Sequence, residues 1–230
     1  MSYIRSQIQE SILKPIKLIQ ENTLSDNNLT DMMNCLNSLI KISEYITQKD
    51  EEIGVIWNEI INDIISVIHS AISGFYHSGS ICLRSILELA SGSFYYYDHK
   101  IEYNLLKDYN YPADKYVSTL VNDYSFYKTA YIESFYKDIR KLEKSENDIS
   151  QKLKKIYSDL CDIVHGRYKT LTKTKGLEIK YSKSDYKLFE NYFYNVMSII
   201  SVMFILRFNY YEDEDIIKLA NKIKVGEFKK

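Results

Sequence analysis

The stretch that most restricts the fold is "NVMSIISVMFILRF", from Asn195 to Phe208. Its apolar side chains fall on every face of a helix. A helix of this kind is stable only when it is surrounded. It is shorter than the roughly 20 residues that span a bilayer. Glu190, Asn191 and Asn195 lead into it and Arg207 closes it. It therefore reads as the buried core helix of a bundle, with no membrane partner.

The rest of the chain supplies the helices to cover it. With 7 Gly and 2 Pro in 230 residues, there are few turn formers, which favours long helices over a many-stranded sheet. One domain over residues 1–230 is expected: an all-α bundle of six to seven helices. It divides into a helical extension over 1–48, a core over 50–210 and a C-terminal helix over 212–230. Ile4, Ile8, Ile12, Ile16 and Ile19 recur at helical spacing over Ser2–Glu21, and Pro15 should kink that helix. Asp26 is a candidate cap for a helix reaching Thr47. A third helix begins near Asp50, with two glutamates in its first turn, and runs toward Tyr97 unless Gly74 or Gly79 breaks it. Helix is expected again from Ala113 to Lys144 after a boundary at Pro112. Ser145 and Asp148 are candidate caps for the next helix, which ends at Gly166. The last two helices span Ser184–Tyr210 and Asp213–Lys224. Residues 168–182 read as a short hairpin or an ordered loop, with β-branched residues and lysines around Gly176.

Net charge is −1, so no global basic field recommends nucleic acid. Cys35, Cys82 and Cys161 are widely spaced and odd in number, the pattern of reduced cytoplasmic thiols that pack as small apolar residues. The N-terminus lacks the apolar core and cleavage site of a signal peptide.

Two polar lines interrupt the apolar pattern. In "SGFYHSGSICLRSILELASG" (Ser73–Gly92), His77, Arg84 and Glu88 fall within ~40° of one another around a helix, with Ser80 and Ser91 beside them. Arg84 and Glu88 are spaced to pair along the helix. In "IYSDLCDIVHGR", Ser158, Asp162 and His165 share one face. Asp162 is placed to orient the imidazole. His165 stands at the helix C-terminus, where the dipole favours positive charge. Two internal networks that lock helices in register explain these lines equally well, without any chemistry.

A metal site from His77, Glu88, Asp162 and His165 lacks the paired Glu-x-x-His motifs of di-iron bundles, and no metal or other cofactor is expected. Cys161, one turn before His165, reads as packing rather than as a nucleophile. Lys173 and Lys175 belong to a basic stretch from Lys169 to Lys183. That stretch is either a solvated loop or a local patch for RNA or a partner.

The first line has the form G-x-Y-x-x-G-x-x-x-x-R-S-x-L-E: Gly74, Tyr76, Gly79, Arg84, Ser85, Leu87 and Glu88. The second ends in Y-x-x-L-x-x-x-V-H-G: Tyr157, Leu160, Val164, His165 and Gly166. Together, over residues 60–210, they resemble the HEPN superfamily of small all-helical domains. The resemblance implies a four- to five-helix bundle, often a homodimer, common in antiviral defence and toxin–antitoxin systems. In catalytic members an Arg-x(4–6)-His motif cleaves RNA without metal. An Arg holds the phosphate and a His moves the proton. Here the positions of that arginine are Ser158, Asp159 and Leu160. Arg167 follows the histidine instead. Two readings follow. In one, Arg84 supplies the guanidinium beside His165, with Glu88 and Asp162 orienting them, and the protein is a metal-independent ribonuclease. In the other, the domain binds RNA, a nucleotide or a cognate partner protein, with His77, Ser158, Arg167, Lys173 and Lys175 contributing. A structural or regulatory oligomer is the third possibility.

Overall fold

A computed structural model describes residues 2–109, 116–136, 149–165 and 181–229. Every regular element among the described residues is helical. In chain order they are α1 (Ser2–Ile8), a π-helical turn (Gln9–Leu13), α2 (Lys14–Asp26), α3 (Thr30–Lys49), α4 (Glu51–Ile72) and α5 (Tyr76–Asp98). There follow α6 (Lys100–Tyr109), α7 (Val117–Asp123), α8 (Thr129–Phe135), α9 (Ile149–Val164), α10 (Lys183–Phe208) and α11 (Glu214–Asn221). The hairpin or loop expected near 168–182, the boundary at Pro112, the caps Ser145 and Asp148, and Gly166 lie outside the described residues, save Tyr181 and Ser182.

The all-round apolar stretch is the axis of the bundle. Ser182 caps α10 by accepting from the Asp185 N–H at 3.3 Å. From Val196 to Leu206 every residue is buried. Helices α3, α4, α5, α8, α9 and α11 pack around it. The helix stops at Asn209, which takes the left-handed conformation (φ 50°, ψ 44°) that Asn tolerates better than most residues. By length and composition both α4 and α10 would suffice to cross a membrane; in α10, 67% of the most apolar window is covered by protein.

Helices α4 and α5 are two helices, not one. The break falls at Gly74, whose φ of +76° suits glycine. The chain then folds back, and α5 packs along α4. Gly79 has a different task. A Cβ built there would stand 2.6 Å from Phe189 Cζ, so its bare backbone lets α5 seat against α10.

Of the isoleucines that recur at helical spacing near the N-terminus, Ile4, Ile8 and Ile12 are 64%, 45% and 45% exposed, and only Ile19 in α2 is buried. Helix α1 packs chiefly on the turn that follows it, while α2 reaches α4. Pro15 stands in the first turn of α2, just after the π-helical turn, a distortion of the hydrogen-bond ladder of the kind that accompanies a proline inside a helical run. Asp26 does not cap α3, because α2 runs through it. The chain turns at Asn27, whose side-chain amide donates to the Thr23 carbonyl and the Tyr181 hydroxyl at 3.1 and 3.0 Å. The helix expected from Ala113 to Lys144 is broken between α7 and α8, where Ser125 and Tyr127 have φ of 54° and 53°. Burial drives that break. Phe126 and Tyr127 both enter the core, and the Tyr127 hydroxyl donates to the Met203 carbonyl at 2.7 Å.

The far ends of α5 and α10 are tied by a partly buried ion pair. Arg207 Nε lies 2.9 Å from both Asp98 oxygens, and Nη2 reaches Oδ1 as well. The guanidinium lies over the rings of Phe135 and Tyr97, at 4.4 and 5.0 Å.

Gly79→Ala is expected to destabilise the protein by about 1–3 kcal/mol in urea denaturation, because the Phe189 ring must move. Combined with Phe189→Leu, the loss should be smaller than the sum of the two single losses.

Two aspartates cap helices while paired to lysine. Asp50 accepts from the Ile53 N–H at 3.2 Å and from Lys100. Asp213 accepts from Asp215 and Ile216 at 2.9 and 3.1 Å and from Lys41 at 2.7 Å. Burial pushes both carboxyls up. The lysine and backbone hydrogen bonds outweigh it and hold them below the usual carboxylate range. Their stabilisation is thus present at neutral pH and is lost as pH falls below about 3.9 toward the folded-state values. Asp50→Ala and Asp213→Ala should each cost about 1 kcal/mol at pH 7, and the difference from wild type should shrink in strong acid.

Candidate functional site

Helix α5 buries Leu83, Ile86, Leu87 and Ala90, and α9 buries Leu153, Ile156 and Leu160. These apolar faces pack the two helices together. The residues flanking them are thereby forced to meet at the rim. On α5 these are Arg84 and Glu88, whose side chains are 20% and 29% exposed. On α9 the residue is Tyr157, buried but for its edge, and His165 stands exposed just after the last turn.

The four groups form one connected cluster. Arg84 Nη2 donates to Glu88 Oε1 at 3.0 Å and to the Tyr157 hydroxyl at 3.4 Å. The Tyr157 hydroxyl donates to the same Glu88 oxygen at 2.8 Å. The other arm of the guanidinium, Nη1, stands 3.5 Å from His165 Nε2. The guanidinium also lies 5.6 Å from the centroid of the Tyr157 ring. Among the described residues, the buried Nε of Arg84 has no hydrogen-bond partner.

The electrostatics follow from these contacts. Burial opposes the Arg84 charge, but the Tyr157 oxygen and the Glu88 carboxylate outweigh it and raise the guanidinium above its ordinary range. Burial, and then the hydrogen bond and charge of Glu88, push the Tyr157 phenol well up, against a smaller opposing effect of Arg84. The arginine is therefore cationic and the phenol a neutral donor at physiological pH. An exposed imidazole next to a held guanidinium is a pair that can bind an anionic oxygen and exchange a proton with it.

The structure brings together Arg84, Glu88 and His165, the residues whose lines on α5 and α9 were expected to face one another. Asp162 is partly buried one turn before His165. His77 is exposed in the first turn of α5, two turns from Arg84, and Ser158 points to solvent; neither is in the cluster. Arg167, Lys173 and Lys175 lie outside the described residues. The sequence placed Ser158 among the candidate binding residues and its neighbour Tyr157 only in the motif, with no role at the site. The signal for Tyr157 was an apolar position of α9 occupied by a residue with a polar tip.

Among the described residues no group of three or more His, Cys, Asp or Glu is placed to hold a metal. The cysteines are free. Cys35 is buried, and burial pushes its thiol up to about 12.

Tyr157→Phe should cost about 1–2 kcal/mol in urea denaturation, since Glu88 loses a donor in a partly buried site. A double-mutant cycle of Tyr157→Phe with Glu88→Gln should give a coupling above about 0.5 kcal/mol.

No family model, curated protein or solved structure matches the chain.

Proposed function

We propose that this protein is a HEPN-like helical module that binds a phosphate-bearing ligand, RNA or a nucleotide, at the rim between α5 and α9. The observation that carries this reading is the 3.5 Å approach of Arg84 Nη1 to His165 Nε2 at an accessible edge. A guanidinium N–H and an imidazole at that spacing can grip one phosphate oxygen together. Glu88 neutralises part of the Arg84 charge, so the grip is selective and weak rather than a broad electrostatic hold. That fits the net charge of −1 and the absence of a global basic field. A role in antiviral defence or toxin–antitoxin systems rests on the resemblance of the two motifs, and a cytoplasmic location on the pattern of the three cysteines.

The same contact favours a second reading, metal-independent RNA cleavage. There His165 moves the proton of the 2′-hydroxyl and Arg84 holds the phosphate, in place of the arginine missing upstream of the histidine.

One experiment separates the two. Purified protein is incubated with total cellular RNA in EDTA and followed by mobility shift and by denaturing gel. The binding reading expects shifted, intact RNA, with the shift weakened at least tenfold by Arg84→Ala and by His165→Ala. Cleavage in EDTA that His165→Ala abolishes establishes the ribonuclease instead. RNA neither shifted nor cut, with no mononucleotide bound in titration, sinks both, and capture of a protein alone points to the partner-binding alternative.

A further inference from the structure

Beside the cluster, on the neighbouring stripe of α5, lies a cleft of about 450 Å³. This is within the range of small-molecule sites, about 300–1,000 Å³. Its walls are largely aromatic and aliphatic: Tyr96 and Leu89 from α5, Tyr103 and Leu106 from α6, and Tyr116 just before α7. Gly92 and Glu88 also line it. One residue therefore belongs to both features. Glu88 pairs with Arg84 on one side and lines the cleft on the other.

The polar groups around the cleft differ in what they can still offer. Lys107 is taken by Glu52 at 2.8 Å and lies 4.9 Å from the centroid of the Tyr103 ring. The Tyr103 hydroxyl donates to the Glu52 carbonyl at 3.0 Å. Ser93 donates to the Ala90 carbonyl at 2.8 Å. At Glu88 the bonds from Arg84 and Tyr157 both end on Oε1. Neither uses Oε2. A carboxylate oxygen repels phosphate and accepts N–H groups. The Tyr116 ring is exposed at the mouth, open to a stacking partner. The occupant that fits is flat, largely apolar on its faces and carries an N–H at its edge.

We propose that this cleft binds a nucleobase, stacked on the exposed Tyr116 ring and donating an amino group to Glu88 Oε2. This deepens the phosphate-binding reading and rests on it for one point, that the base belongs to a ligand whose phosphate is held by Arg84 and His165. An amino-bearing base (adenine, guanine or cytosine) satisfies the carboxylate better than uracil, whose exocyclic groups are both acceptors.

Gly92 supplies the test. A Cβ there would meet only the Tyr96 ring, at 3.6 and 3.9 Å, which is ordinary contact. Leucine is also a better helix former than glycine. Gly92→Leu therefore fills the cleft while keeping α5 intact. Calorimetric titrations of wild type and Gly92→Leu use AMP, GMP, CMP, UMP and adenosine, with ribose 5-phosphate as the base-free control. The proposal expects at least one amino-bearing nucleotide to bind about tenfold or more tighter than ribose 5-phosphate, a gain of the size stacking provides. Gly92→Leu should erase that gain and leave ribose 5-phosphate unchanged; Tyr116→Ala should reduce it. If adenosine binds, ribose 5-phosphate does not, and Gly92→Leu abolishes adenosine binding, the base cleft stands and the phosphate reading falls. The proposal is overturned if every nucleotide binds no better than ribose 5-phosphate, if Gly92→Leu binds as wild type does, or if no probe binds.

Discussion

Helix α10 is apolar on all sides over its last three turns, and everything else in the fold answers to that. No single neighbour can cover such a helix, so six others gather around it. Burial of Val196 through Leu206 outweighs any preference of the individual covering helices. Its ends are where specificity enters. At one end the missing side chain of Gly79 admits the Phe189 ring, fixing how deeply α5 sits. At the other, Arg207 and Asp98 form a bidentate pair among aromatic rings. A partly buried pair of this kind adds little net stability against an apolar replacement, but loss of one partner strands a charge. It therefore pins the ends of α5 and α10 more than it strengthens the bundle.

The cluster at the α5–α9 rim is a consequence of this arrangement. Once α5 is held against α10, its remaining free flank carries Arg84 and Glu88. Helix α9 packs against the same flank with Leu153, Ile156 and Leu160, which sets Tyr157 and His165 opposite them. Glu88 Oε1 then accepts from both helices, since Arg84 on α5 and Tyr157 on α9 converge on one atom. That shared acceptor holds Nη2 in place and leaves Nη1 turned toward the imidazole. The orientation of the guanidinium thus does not depend on His165, which stands at the exposed end of the network.

The sequence made the all-α class, the core helix and the facing of Arg84 and Glu88 toward His165 legible, because each rests on a local period. Apolar residues on every face name a core helix. Side chains spaced by four and seven residues name a shared stripe. What stayed hidden depends on distant partners. The isoleucines of α1 have a proper helical period, yet period says nothing about whether a neighbour exists to receive them. The break between α7 and α8 comes from the pull of the core on Phe126 and Tyr127, strong enough to hold two non-glycine residues at positive φ. Asp98 and Arg207 are 109 residues apart, and nothing near either one announces the other. The part Tyr157 plays in the cluster was hidden for a subtler reason. Its ring belongs to the apolar stripe of α9, so its hydroxyl is invisible to a reading that sorts whole residues into polar and apolar.

That last point bears on how the site could operate without the arginine one expects just upstream of the histidine. An arginine on α9 itself would reach His165 along one helix, and its position would be set by local geometry. Arg84 reaches it across a helix pair, so its position depends on the packing of α5 against α9 and on the Glu88–Tyr157 bond that ties them. The cationic group is then conditional on tertiary structure. Its pairing with a carboxylate lowers the field it presents to solvent, which suits a chain with net charge −1 better than an isolated guanidinium would. The cost is a weaker hold on any anion. Under the proposed phosphate-binding reading, binding energy from elsewhere on the ligand must make up the difference, and the aromatic cleft lined by Glu88 is placed to supply it.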